Sequence, residues 1–100
     1  MTLGDYLQKH GIIIDESIIV EYRLVDDSDY ETYKDTDFWP GFTAEKVSFD
    51  DNNRLVLETE FDDGGVNNIK IPLSHKGEED EDNGFITSVI GEKVRLVFLI

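Results

Sequence analysis

The sequence predicts a mainly β fold of the α+β kind: a small antiparallel sheet or partly open barrel of about six strands with one short N-terminal helix, over a single domain spanning residues 1–100. Three observations carry the prediction. Apolar residues recur with a period of two in several separate runs. Two gaps between runs, Asp50-Asp51-Asn52-Asn53 and Asp62-Asp63-Gly64-Gly65, consist of residues that tolerate positive φ. Helical signals are confined to the first ten residues or so. With 39% hydrophobic residues spread along most of the chain, the composition is too apolar for disorder despite the charge, and the length has room for one core.

The helix is predicted over about residues 2–10. Thr2 with Asp5 three residues on forms a capping box, Leu3, Tyr6 and Leu7 share one face, and Gly11 stands where a C-terminal cap glycine belongs. Residues 18–25 alternate Ile18, Val20, Tyr22 and Leu24 against Ile19, Glu21, Arg23 and Val25, which reads as a strand. Residues 26–37 read as an acidic loop interleaved with tyrosines. A meander follows over 43–49, 54–61 and 66–73, with Pro72 placing the end of its third run at an edge because proline cannot donate to a ladder. A second acidic loop, 78–82, leads into a strand over 85–90. Gly91 turns the chain into 93–100, where apolar residues on both faces predict a central strand covered on both sides.

Charge is the main functional signal. Twenty-three acidic residues against nine basic ones give a net charge of −14, beyond the magnitude of about 2–8 usual for solubility in a small domain. Self-repulsion at this density opposes compaction, so the excess points to a positively charged partner. Without cysteine there is no disulfide, thiolate metal site or cysteine nucleophile. Neither a signal peptide nor a membrane-length apolar stretch is evident, and a cytoplasmic location is expected. An anionic surface is repelled by lipid headgroups and by nucleic acid, so direct binding to either is not expected.

Local motifs point away from catalysis. Glu79 to Thr87 follows the first nine positions of an EF-hand loop, but Ile90 stands where the closing bidentate glutamate belongs, so neither calcium nor another metal is expected. His10 and His75 lack a nucleophile partner, the many carboxylates lie in polar segments, and Gly64-Gly65 lacks the lysine and helix of a phosphate loop. An enzyme and a cofactor are therefore not expected. Phe38-Trp39-Pro40-Gly41-Phe42 is the one aromatic cluster; it plugs the end of a sheet or serves as a binding anchor.

The expected partner-binding residues are Asp26, Asp27, Asp29, Tyr30, Glu31, Tyr33, Asp35, Asp37 and Trp39, with a carboxylate row of Glu58, Glu60 and Asp62 spaced about 6.6 Å apart along one strand face. In size and composition the chain resembles DNA-mimicking inhibitors, such as immunity proteins of nuclease toxins and antagonists of restriction or CRISPR effectors. The resemblance implies occlusion of a basic nucleic-acid site on a nuclease-type partner. The alternative expectation is an adaptor that uses the aromatic loop within a larger assembly.

Overall fold

The computed structural model describes residues 1–15, 17–36, 39–60, 63–80 and 84–99, and it is mainly β. Helix α1 (Leu3–Lys9) has the expected start: Thr2 Oγ accepts from the Asp5 N–H and the Asp5 carboxylate accepts from the Thr2 N–H, both at 3.1 Å. It ends in a Schellman turn, in which Ile12 N–H donates to Leu7 O at 2.9 Å while Gly11 takes φ +61°.

The mainly β class is as expected, and among the described residues eight strands, where the sequence suggests about six in a small sheet or partly open barrel, form two antiparallel sheets that do not close into a barrel. They are β1 (Ile19–Asp26), β2 (Gly41–Ala44), β3 (Lys46–Phe49), β4 (Arg54–Glu60), β5 (Val66–Pro72), β6 (Gly77–Asp80), β7 (Gly84–Val89) and β8 (Glu92–Leu99). The first sheet runs β2-β1-β8-β7-β6 and the second β3-β4-β5. The meander and the edge position of Pro72 are as the sequence predicts.

The run 43–49 is where one of the two extra strands arises. Ala44 is buried and Val47 half-buried, three residues apart, so the run changes parity and cannot lie on one sheet. Its first part pairs with β1 and its second with β4, and the Glu45 N–H bridges the corner by donating to Glu58 O at 2.8 Å. Gly41 is required at the start of β2, because a Cβ there would stand 2.4 Å from the Tyr22 carbonyl oxygen.

The core lies between the sheets and under α1. Val20, Tyr22, Phe85, Val94 and Leu96 face Leu55, Leu57 and Ile71, and Leu3, Tyr6 and Leu7 close one end. The Tyr22 hydroxyl reaches across to Thr59 Oγ at 3.0 Å, which satisfies two buried polar groups and ties the sheets together.

Three further expectations are corrected. Residues 26–37 are not simply a loop: a 3₁₀ turn (Asp27–Asp29) runs into a helical turn α2 (Tyr30–Tyr33), where Asp27, Asp29 and Glu31 lie in first turns and favour the dipole. The segment expected as a second acidic loop contains the edge strand β6, whose Glu79 bonds to Lys9 and His10 and whose Asp80 pairs with Arg95; cations from other elements hold acidic residues in a sheet. Strand β8 is central as expected, but it is not covered along both faces. Arg95 is buried on the outer face while Leu99 is exposed, and Phe98 is only half-buried beside Tyr6.

Candidate functional site

The outer face of the five-stranded sheet carries cations where a sandwich would carry surface polar residues. Arg23 on β1 stands directly opposite Arg95 on β8, and Val25 opposite Lys93. Two guanidinium groups in register repel, so each needs compensation. Arg23 pairs with Glu21 at 3.0 Å and Arg95 with Asp80 at 3.3 Å.

The remaining compensation comes from residues 27–36 and 39–40, a strap laid across this face. Trp39, 1% exposed, stacks on Arg95 with the guanidinium carbon 4.3 Å from the ring. Its indole N–H donates to Tyr33 O at 2.7 Å, and its own carbonyl accepts from Arg23 at 2.9 Å. Arg95 also donates to Thr36 O at 3.3 Å, and its Nε has no hydrogen-bond partner among the described residues. Tyr30 meets Trp39 edge-on at 5.9 Å and lies 5.2 Å beneath the Lys93 ammonium.

This inward use of aromatics decides where the acids go. Trp39 and the half-buried Tyr30 face the sheet, so Trp39 anchors the strap to its own molecule and offers no surface to a partner. Asp26, Asp27, Asp29, Glu31 and Asp35 are all exposed, with Asp27, Glu31 and Asp35 recurring at four-residue spacing. Lys34 pairs with Glu31 at 2.9 Å, and the hydrogen bond to that carboxylate and its charge, with the charge of Asp35 adding to them, raise the Lys34 pKa. Tyr33 is partly exposed. Asp37 lies outside the described residues.

The strap continues into the β7–β8 hairpin, since the Asp27 N–H donates to Gly91 O at 3.0 Å. That hairpin turns on Ile90 and Gly91, both at positive φ (+45° and +78°), the pattern of a type I′ turn. A β-branched residue is strained there, and Ile90 is also 96% exposed. One residue pair away, Asp26 stands directly opposite Glu92, two like charges in register. Strain, an exposed apolar side chain and opposed acids thus meet at one corner, beside the acidic strap. The sequence predicts Ile90 as the last residue of the strand over 85–90; the strand ends at Val89 and Ile90 stands in the turn instead.

Of the expected carboxylate row, Glu58 and Glu60 alternate on one face of β4, the outer face of the smaller sheet. Glu58 stands opposite Lys46 and Asn68, Glu60 stands opposite Val66, and both line a small hollow with Glu45 and Lys46. Asp62 lies outside the described residues. Cross-strand pairing sets Lys46 beside Glu58, which the sequence of one strand does not show.

Elsewhere, Lys9 and His10 lower the Glu79 pKa, backbone and side-chain bonds from Thr2 lower that of Asp5, bonds from Ser17 lower that of Asp15, and burial raises that of Tyr6. Asp50 is lowered too: desolvation opposes the shift, and hydrogen bonds from Arg54 and Asn52 outweigh it. Among the described residues no group of three or more histidines and carboxylates is placed to hold a metal ion, and no helix is long and apolar enough to cross a membrane. Of the EF-hand-like run, Glu79 and Asp80 are engaged by cations and 81–83 lie outside the described residues. Comparison of the chain with protein-family models, curated proteins and solved structures found no match.

Proposed function

We propose that this chain is a non-enzymatic, cytoplasmic inhibitor that docks on the basic nucleic-acid-binding or active site of a nuclease-type partner and occludes it. Immunity to a nuclease toxin, or antagonism of restriction or CRISPR, is the kind of role this describes. The observation that carries the reading is the strap corner: aromatic rings turned inward hold Asp26, Asp27, Asp29, Glu31 and Asp35 outward, next to the exposed Ile90. An apolar anchor with a charged rim is ordinary interface anatomy, and a pre-ordered rim loses little entropy on docking. The acids steer a cationic surface toward this corner.

The test begins with capture of the partner from the native host and from cells carrying a neighbouring toxin or defence system. Nucleic acid should then compete with the chain for that partner. The triple substitution Asp27→Lys, Asp29→Lys, Glu31→Lys should slow association by more than about tenfold, at a cost of about 1–2 kcal/mol in stability from the lost Glu31–Lys34 pair and the reversed first-turn charges. Equal binding at about 0.05 M and about 0.5 M salt, with the partner still holding its nucleic acid, would refute the proposal.

One observation favours an adaptor role instead. Ile13 and Leu99 are exposed around a hollow of about 250 Å³, and the exposed Ile19 stands opposite Leu99. A partner seated there would bind almost independently of salt, so the same titration separates the two readings.

A further inference from the structure

The nine basic residues of the chain are mostly committed. Lys9, Arg23, Lys34, Arg54 and Arg95 each pair with a carboxylate, and Lys46 stands opposite Glu58. Of the three left, Lys76 and Lys93 line one groove. It lies on the outer face of β6, β7 and β8, walled by Tyr30 of the strap, and has a volume of about 360 Å³. That is within the lower range of small-ligand pockets.

The groove is arranged as well as positive. Lys93 Nζ donates to Ser88 Oγ at 2.7 Å and stands 5.2 Å over the Tyr30 ring, so its ammonium is held in place with donors to spare. Lys76 makes no ion pair among the described residues. Among the described residues Glu78 on β6 is the one carboxylate of the lining, so the described lining is net positive in a molecule of charge −14. Ile86 supplies an apolar patch to the lining.

We infer that this groove is a binding site for a phosphoryl group, free or carried on a small organic molecule. Two ammonium groups and a serine hydroxyl offer more donors than a single carboxylate can accept, whereas a phosphate presents several oxygens, and lysine binds phosphate as a point charge. The volume exceeds that of a lone phosphate, leaving room for an attached sugar-sized body against Tyr30. The inference is independent of the partner proposed above, because it concerns cations and a different face of the strap.

The experiment is amide chemical-shift titration of the intact chain with inorganic phosphate and, separately, ribose 5-phosphate, at constant ionic strength. Saturable shifts at Ser88 and Lys93 are expected, with dissociation constants of about 1 mM or tighter. Lys76→Gln, at an exposed position, should weaken binding by at least about tenfold. Glu78→Gln should tighten it, and Lys70→Gln, on the other sheet, should leave it unchanged. Tighter binding of the ester assigns the site to an organic phosphate, and equal binding assigns it to the phosphoryl group alone. Linear, unsaturable shifts with both probes, or binding that survives Lys76→Gln, would overturn the inference.

Discussion

Replacing Trp39 by alanine tests whether the strap is held as described. Trp39 is 1% exposed, and a buried tryptophan withdraws on the order of 200 Å² from water, worth about 5 kcal/mol at roughly 25 cal/mol/Å². Alanine retains a small part of that area, and aromatic truncation in a core costs about 3–5 kcal/mol. The stacked Arg95 guanidinium loses its ring, and the Tyr33 carbonyl loses the indole donor, together adding about 1–2 kcal/mol if both sites stay dry. Water entering the vacated space offsets much of this addition, so a total near 4 kcal/mol is expected. That is a large share of the roughly 5–15 kcal/mol that stabilises a domain. Urea unfolding followed by far-UV circular dichroism reads the change, which at a slope of about 1–1.5 kcal/mol/M lowers the midpoint by about 3 M. Trp39→Phe, which keeps a ring but not the N–H, should lose about half as much. A loss below about 1 kcal/mol for the alanine variant would mean that the strap does not dock on Arg95, and would remove the basis for the outward comb of acids.

Two other outcomes follow from single residues. Ile90→Asn should stabilise the protein by about 1 kcal/mol, raising the melting temperature by roughly 5 °C in calorimetry, because asparagine tolerates the positive φ that isoleucine does not; an unchanged or lower melting temperature would argue against strain at this turn. The folded-state pKa of Glu79 lies below its ordinary value of 4.5, so the unfolded chain takes up this proton first on acidification, and the associated stability is present above about pH 4.5 and lost as the pH falls through the lowered value. The urea midpoint of Glu79→Gln should therefore lie below that of the parent at pH 7 and converge with it near pH 3, while a pH-independent gap would assign the effect to something other than ionisation.

Much of the β architecture was legible because its signals are local. Alternation along β1, β4 and β5, turn residues at Asn53 and Gly64, and the Thr2 cap each specify their element without reference to the rest. What escaped depends on partners distant in sequence. Strand β6 is acidic and poor in β-formers, and reads as a strand only once Lys9, His10 and Arg95 are known to lie against it. The break at Glu45 shows in the parity of Ala44 and Val47, but its meaning, a strand passing from one sheet to another, is a property of the whole topology. Trp39 presented two readings because tryptophan is equally at home in cores and interfaces; the neighbour that decides between them, Arg95, is 56 positions further along the chain, and nothing near Trp39 announces it. The acids of the strap were visible as a group, yet their outward direction follows from which way the aromatics turn.

The corner at Ile90 has an evolutionary consequence. Stability lies within reach of single changes there: asparagine or glycine at position 90 relieves the turn, and lysine at position 92 turns the opposition with Asp26 into attraction. A library of this chain selected for heat resistance alone should therefore drift fastest at these positions, and if the corner is the docking surface, survivors should be the variants that have lost their partner. Selection for binding would pull the same positions back toward the less stable residues, so the two screens, run in parallel, would mark the interface by their disagreement.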